Sequence, residues 1–186
     1  MLWTLPNILT WMRIFAIPLV VLLFYYPHAW ADPAAGLLFA AAGITDSLDG
    51  YYARKLGQTS RLGAFLDPVA DKLIVAVALM LIVSRDPRWF VVIAAMVIVG
   101  REIAISALRE WMAELGQRTK VAVSQLGKYK TILQIVGLSM MLFRWDLWVI
   151  PLYDLGLGLT LLSSALTLLS MIDYLRAAWP DLRGNA

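Results

Sequence analysis

The stretch that decides the fold and the chemistry reads Asp46-Ser-Leu-Asp49-Gly50-Tyr-Tyr-Ala53-Arg54, eight further residues, then Gly63-Ala-Phe-Leu-Asp67-Pro-Val-Ala-Asp71-Lys72. Four aspartates fall within 26 residues. Asp46 and Asp49 are three residues apart and Asp67 and Asp71 are four apart, so in helices each pair shares one face. The intervening turn is short enough to make the two helices antiparallel neighbours. We therefore expect all four carboxylates to converge on one point.

Four converging carboxylates repel one another and need a compensating cation. The chain has no Cys and one His, so a metal would be held by oxygen, which suits Mg²⁺ or Mn²⁺. Two such ions sharing carboxylates form the clamp used in phosphoryl displacement. The alternative is that the aspartates only cap helices and pair with nearby Arg and Lys side chains. The regular spacing and the small residues Gly50, Ala53 and Gly63 favour the metal site.

The composition indicates that this protein is embedded in a membrane. Of its 186 residues 61% are hydrophobic and 16% are charged, where ~25% charged is usual for soluble domains. The absence of Cys excludes disulfide scaffolds, thiolate zinc sites and cysteine nucleophiles. The net charge of +3 is modest, and we expect no nucleic-acid partner. These numbers predict an all-α integral membrane protein.

Six apolar segments of about the length that spans a bilayer predict six transmembrane helices. They are Ile8–Tyr26, Ala34–Ala53, Gly63–Val83, Trp89–Leu108, Thr131–Phe143 with a flank from near Leu126, and Leu147–Leu175. Asp-Pro pairs at Asp32 and Asp86 are typical of helix starts. No linker separates a second domain, so residues 1–186 are expected to form one membrane domain.

The distribution of Lys and Arg predicts the orientation of the bundle. Six spans place both termini on one side, and that side carries thirteen of the sixteen Lys and Arg residues. The other side carries three, namely Arg85, Arg88 and Arg144. By the positive-inside rule both termini are cytoplasmic, and the aspartates form a polar active-site cavity at the cytoplasmic side. The first apolar stretch lacks a basic start and a cleavage site, so it is expected to remain as a helix.

The aspartate pattern also carries a resemblance to a known family. Asp-x2-Asp-Gly-x2-Ala-Arg-x8-Gly-x3-Asp-x3-Asp, from Asp46 to Asp71 without departure, resembles the signature of the CDP-alcohol phosphotransferase family. The resemblance implies a six-helix membrane enzyme, usually a homodimer, that moves a phosphatidyl or related group from a CDP-linked donor to an alcohol and releases CMP. Stretches 5–13, 101–116 and 127–131 are similar to bacterial members whose donor is CDP-diacylglycerol and whose acceptor is sn-glycerol 3-phosphate. The resemblance therefore implies that this protein lies in a bacterial inner membrane.

The resemblance also implies a role for individual residues. Asp46, Asp49 and Asp67 would hold the metal ions, while Asp71, also near a metal, would take the proton from the attacking hydroxyl. A general base must reach the nucleophile, and Asp71 lies a full turn beyond Asp67, at the edge of the cluster. The residues expected to contact CDP-diacylglycerol are Gly50, Arg54, Ser60, Asn7 and Thr10. For Asn7 a helix N-cap, and for Ser60 an ordinary loop position, are the alternatives.

A pocket for the acceptor phosphate is expected around Arg101. This residue lies well inside the fourth span, where an arginine is costly unless it faces a polar cavity. Lys128 and Lys130 on the next helix can converge on the same cavity. Three cations with one local carboxylate suit the dianionic phosphate of glycerol 3-phosphate. The alternative is that Glu102 simply pairs with Arg101.

Two other functions remain to be weighed. A cardiolipin synthase, or a transferase for another alcohol, would share the fold and the aspartates and differ only in the acceptor. An ion or proton transporter would carry acidic residues at several depths of the membrane. Here the four aspartates share one depth, which favours an enzyme.

Overall fold

The computed structural model describes the backbone of residues 5–56, 61–114 and 125–184, and the side chains of residues 8–45, 66–114, 129–176 and 179. Six α-helices account for almost all of these ranges. They are α1 (Leu5–Tyr25), α2 (Ala31–Leu56), α3 (Arg61–Arg85), α4 (Trp89–Glu114), α5 (Gln125–Phe143) and α6 (Leu152–Gly184). The prediction of an all-α protein is confirmed.

Within the part of the chain that the structure describes, three helices are long and apolar enough to cross a membrane, over Ile8–Tyr25, Trp89–Glu114 and Leu152–Arg176. Shorter apolar helical stretches occur over Ala31–Thr45 and Tyr129–Phe143. Large apolar side chains such as Phe15, Leu22 and Ile103 are about two-thirds exposed on the outer surface of the bundle. Such a surface would be unfavourable in water and suits contact with lipid. The chain is therefore a helical membrane protein.

The expected boundaries need correction at two places. Helix α6 begins at Leu152 rather than Leu147, because residues 144–151 form a turn in which Leu147 and Ile150 pair. Proline at position 151 favours this later start, since proline suits the beginning of a helix. Helix α3 begins at Arg61, two residues before the expected start at Gly63, so Pro68 lies inside the helix and α3 loses one backbone hydrogen bond there.

The helices α5 and α6 pack most closely in the described part of the bundle. A Cβ atom at Gly137 would lie 2.8 Å from the carbonyl oxygen of Gly156, and one at Gly156 would lie 2.7 Å from the carbonyl oxygen of Gly137. Only glycine permits this approach of the two backbones. Gly36 allows a similar approach of α2 to the backbone of Phe143 at the end of α5.

Helix α1 organises the other half of the bundle by packing against both α2 and α3. Its buried side chains Val20 and Phe24 join Phe39 of α2 and Leu79 of α3 in the main hydrophobic core. In the described ranges α2 and α3 touch each other only slightly, so the expected antiparallel neighbours are connected mainly through α1. The residues at the turn between them lie outside the described side chains.

Candidate active site

A cavity of about 360 Å³ opens among five helices in the half of the bundle that holds the aspartate motif. Its polar and charged lining comes from α1, α3, α4 and α5. These residues are Arg13, Asp67, Asp71, Lys72, Glu102, Arg109, Thr131 and Gln134. Phe39, Ala42 and Gly43 of α2 supply an apolar wall. The two aspartates of α3 therefore face a common space with cations from three helices.

Two residues of α1 hold the aspartates of α3. The Thr10 hydroxyl donates a hydrogen bond to Oδ1 of Asp67, and the Arg13 guanidinium forms an ion pair with Oδ1 of Asp71. Thr10 and Arg13 are three residues apart, so they share a face of α1, just as the aspartates share a face of α3. Both α1 side chains are 1% exposed. The pairing fixes the direction in which each carboxylate enters the cavity.

The other half of the aspartate motif is only partly described. Asp46, Asp49, Gly50 and Arg54 belong to helix α2, but their side chains lie outside the described residues. The same holds for Asn7 and Lys128, and Ser60 is outside the described backbone as well. Among the side chains that the structure describes, no three His, Cys, Asp or Glu residues form a metal-binding group. The convergence of four carboxylates remains a prediction.

The predicted acceptor residues Arg101 and Lys130 lie together, joined by a carboxylate. Oε1 of Glu102 accepts a hydrogen bond from Nη1 of Arg101 at 2.8 Å and another from Nζ of Lys130 at 3.0 Å. Arg101 and Lys130 are both buried, and neither lines the cavity directly. Glu102 does line it. Glu102 therefore lies between the cavity and the two cations that it binds.

Tyr174 of α6 packs against the arginines of this cluster. The Arg101 guanidinium carbon lies 5.6 Å from the centre of its ring, and that of Arg109 lies 5.4 Å away. Nη2 of Arg109 also lies 3.3 Å from the Tyr174 hydroxyl oxygen. The buried Nε atoms of Arg101 and Arg109 have no hydrogen-bond partner among the described residues. A buried donor without a partner is unfavourable, so a ligand acceptor at these atoms would be stabilising.

The charges around the cavity match an anionic ligand. Its described lining holds three cations, Arg13, Lys72 and Arg109, and three carboxylates, Asp67, Asp71 and Glu102. Arg101 and Lys130 stand behind Glu102 and are not counted in that balance. They leave a surplus of two positive charges on the side of the cavity formed by α4 and α5. A group with two negative charges would be attracted to that side.

Sequence reasoning did not assign functional roles to several residues that the structure places at the site. Arg13 was counted only for topology, although an arginine within an apolar span is costly unless it is paired, as had been argued for Arg101. Arg109 lies one residue beyond the predicted fourth span, so this argument did not apply to it. Gln134, a buried polar residue of α5, gave no signal in the sequence because one helical face cannot be told from another without the neighbouring helices.

Comparison with known proteins identifies the family. The family model described as CDP-alcohol phosphatidyltransferase matches residues 3–173. Proteins of Escherichia coli (strain K12), Shigella flexneri serotype 5b (strain 8401) and Salmonella choleraesuis (strain SC-B67) are each 48% identical over 182 residues, covering 98% of both chains. Each carries the name CDP-diacylglycerol--glycerol-3-phosphate 3-phosphatidyltransferase. The resemblance suggested by the aspartate motif is confirmed, and the chain belongs to the CDP-alcohol phosphatidyltransferase family.

Proposed function

We propose that this protein transfers the phosphatidyl group of CDP-diacylglycerol to sn-glycerol 3-phosphate, giving phosphatidylglycerol phosphate and CMP. The observation that carries the proposal is a single cavity lined by two carboxylates of α3 and by Glu102 and Arg109 of α4, with Arg101 and Lys130 bound to Glu102. The carboxylates suit divalent metal ions that would neutralise the reacting phosphate, and the cations suit the second phosphate that this acceptor brings. The names of the relatives over the whole length support the same reaction.

The residues present fit a divalent metal. Members of the family generally use divalent metal ions. The carboxylates of Asp67 and Asp71 line the cavity and offer oxygen ligands, the type that Mg²⁺ and Mn²⁺ prefer. We assign two ions, which would share carboxylates, to Asp46, Asp49, Asp67 and Asp71. When bound, they neutralise charge on the phosphates of the donor and on the departing CMP.

Asp71 is the proposed general base. Its carboxylate accepts the proton of the acceptor hydroxyl as the hydroxyl oxygen forms a bond to the phosphorus of the phosphatidyl group. The bond from that phosphorus to the CMP oxygen breaks, and CMP leaves with the electron pair. Arg13 holds Asp71 in place through their ion pair, so the base is oriented before the acceptor arrives. Thr10 does the same for Asp67.

The donor is proposed to lie along α1 and α2. The residues that the family resemblance implies for it are Gly50, Arg54, Ser60, Asn7 and Thr10. Arginine presents two parallel donors to phosphate oxygens, and glycine leaves room for the nucleotide. Thr10 touches Asp67 directly, so its contribution to donor binding includes fixing that carboxylate.

The acceptor phosphate is proposed to bind Arg101, Lys128 and Lys130. Glu102 already occupies Arg101 and Lys130, so the phosphate competes with a carboxylate for the same donors. The unpartnered Nε atoms of Arg101 and Arg109 offer further hydrogen bonds. Free alcohols such as serine, inositol or glycerol would not displace Glu102, because they carry no phosphate.

The arrangement in the membrane is part of the proposal. Six spans in one domain of residues 1–186, both termini in the cytoplasm and the cavity at the cytoplasmic side place the site where CMP and glycerol 3-phosphate dissolve. The basic asymmetry of the sequence supports this orientation in a bacterial inner membrane. The homodimer that the family resemblance implies is proposed as well.

A CMP-release assay on the purified protein tests the reaction. With CDP-diacylglycerol and Mg²⁺ or Mn²⁺, sn-glycerol 3-phosphate should release CMP, while serine, inositol and glycerol should be poor acceptors. The assay should include phosphatidylglycerol, because its use as acceptor would indicate a cardiolipin synthase instead. Asp71→Asn serves as the inactive control. Equal turnover with glycerol and glycerol 3-phosphate would contradict the assigned acceptor.

A further inference from the structure

A second, smaller cavity lies at the opposite end of the bundle from the aspartates. It has a volume of about 230 Å³, and its lining includes Arg85, Asp86, Arg88, Arg144 and Tyr153. Counted along α1 and α3 at 1.5 Å per residue, it lies ~15–20 Å from the first cavity. All residues that line it belong to the described part of the chain. The three arginines are the only Lys or Arg residues that the sequence places on this side of the membrane, and all three line this one cavity.

Two of the three arginines are held in fixed positions. Arg85 forms an ion pair with Asp32 at 2.6 Å, and its guanidinium carbon lies 3.7 Å from the centre of the Phe24 ring. Arg88 makes two hydrogen bonds to Asp86, from Nε at 2.8 Å and from Nη2 at 2.7 Å. The hydrogen bonds from Arg88 lower the pKa of Asp86 to about 2, so this pair stays ionised at physiological pH.

Arg144 is different, because it has no carboxylate partner in the described structure. Its guanidinium carbon lies 5.8 Å from the centre of the Tyr153 ring, and the residue is exposed. Its backbone has a φ of 60°, in the left-handed region that non-glycine residues rarely adopt. This conformation follows directly on the last residue of α5, where glycine or asparagine is usual. An arginine therefore occupies a position whose backbone favours another residue.

The lining therefore combines three guanidinium groups with one carboxylate, Asp86. The exposed carboxylates of Asp146 and Asp154 do not line the cavity. Asp86 pairs with Arg88 and Asp32 pairs with Arg85, so one positive charge remains in excess, that of Arg144, which has no carboxylate partner among the described residues. The two parallel N–H donors of a guanidinium group match two oxygen atoms of a phosphate.

The surroundings of the cavity indicate where that phosphate comes from. Exposed aromatic side chains surround this end of the bundle: Tyr25, Tyr26, Trp30, Trp89, Trp145 and Trp148. Such a belt lies at the level of lipid headgroups. The volume is below the ~300–1,000 Å³ of pockets that enclose a drug-sized ligand, so a headgroup phosphate fits and the acyl chains stay outside. Basic pockets between membrane helices bind anionic headgroups on the cytoplasmic side of membranes, and the pairing of guanidinium with phosphate is the same on the other side.

We propose that the cavity formed by Arg85, Arg88, Arg144 and Tyr153 binds the phosphate of an anionic phospholipid at the membrane surface opposite the active site. Arg144 supplies the excess positive charge and the principal contact, and the two fixed arginines set the shape of the site. The lipid joins the turn before α6 to the ends of α3 and α5.

Arg144→Gly and Arg144→Asn provide a test that does not disturb the backbone. Both residues tolerate a φ near 60°, so the variants should fold at least as well as the parent while lacking the guanidinium group. Arg176→Ala is the matched control, because it also removes one exposed arginine of this chain, but near the far end of α6. Arg144→Lys keeps the positive charge but lacks the two parallel donors of the guanidinium group.

The full-length protein in neutral detergent is titrated with dioleoyl phosphatidylglycerol, dioleoyl phosphatidylcholine or inorganic phosphate, and binding is followed through the melting temperature. We expect the anionic lipid to bind the parent and Arg176→Ala alike and more tightly than the zwitterionic lipid. Arg144→Gly and Arg144→Asn should bind it about tenfold or more weakly, with Arg144→Lys in between. Unchanged binding in both Arg144→Gly and Arg144→Asn, or an equal loss in Arg176→Ala, overturns the proposal. Inorganic phosphate that stabilises the parent as much as the lipid does, and loses this effect in Arg144→Gly and Arg144→Asn, would show a free-ion site and overturn the assignment to lipid.

Discussion

At the scale of single residues, Asp71 combines two roles that a conservative substitution can separate. It lines the cavity, and it pairs with the buried Arg13. An asparagine at this position would keep the shape and an oxygen that accepts a hydrogen bond from Arg13, but it could not take up a proton. The structural contact and the chemical role are therefore affected to different degrees by the same change.

Asp71→Asn should lower turnover by ~10²–10⁴, the usual contribution of a general base, and leave the binding of the donor largely intact. Asp67→Asn should instead weaken metal binding, so that excess Mg²⁺ or Mn²⁺ restores part of the activity. Steady-state CMP release measured over a metal titration distinguishes the two. Asp154→Asn, at an exposed position in the first turn of α6, is the control. Rescue of Asp71→Asn by metal, with no rescue of Asp67→Asn, would reverse the assigned roles.

Lys130→Met tests the acceptor site, because it removes the charge of a buried residue while keeping much of its volume. Loss of one charge-assisted contact worth ~1.5–3 kcal/mol should raise the KM for glycerol 3-phosphate roughly tenfold to hundredfold. The KM for CDP-diacylglycerol should change little. Arg101→Lys should also raise the acceptor KM, since an ammonium group cannot reproduce the two-donor fork. If Lys130→Met weakens glycerol and glycerol 3-phosphate by the same factor, the lysine is structural.

At the scale of helices, the contact of α5 with α6 depends on two glycines that face each other. These helices also carry Lys130 and Tyr174, so their spacing sets the position of the cluster formed by Arg101, Glu102 and Lys130. The hydroxyl of Ser163 on α6 adds a hydrogen bond to the carbonyl oxygen of Lys130 at 3.0 Å. A change that separates the helices should therefore affect both stability and the acceptor site.

Gly156→Ala should destabilise the protein by ~1–3 kcal/mol, because its Cβ atom would meet a carbonyl oxygen of α5 at 2.7 Å. Gly158→Ala is the matched control two residues away, where a Cβ atom meets nothing within 4 Å. It should be neutral, or stabilising by up to ~1 kcal/mol through helix propensity. Thermal unfolding in detergent measures both variants. Equal melting temperatures would show that α5 and α6 can adjust their spacing at no cost.

At the scale of the whole molecule, the orientation in the membrane links the cavity to its soluble substrate. The aspartate cavity and the basic cavity lie at opposite ends of the same helices. If the first opens to the cytoplasm, the second lies at the outer surface. Single cysteines report this directly, because the chain contains none of its own.

Ala29→Cys, in the exposed turn between α1 and α2, should react with a membrane-impermeant thiol reagent in intact cells. Glu114→Cys, at the exposed end of α4, should react only after the membrane is permeabilised. The positive-inside distribution of Lys and Arg is the reason for this expectation. Labelling of the second variant in intact cells, with protection of the first, would invert the topology.

The sequence by itself determined the class of the protein, the approximate helices and the family. Apolar length and the spacing of the aspartates are local properties, since the helical repeat alone decides which residues share a face. The start of α6 was misplaced because apolar residues 147–150 resemble a helix by composition and form a turn instead. Composition does not record where the backbone changes direction.

Only the tertiary structure decided which faces meet. Thr10 and Asp67 are 57 residues apart, Arg13 and Asp71 are 58 apart, and Glu102 and Lys130 are 28 apart. Each of these contacts depends on how one helix is rotated and placed against another, which close packing at residues such as Gly137 and Gly156 sets. The helical repeat predicted that Asp67 and Asp71 point the same way, and packing decided that Arg13 is there to meet them.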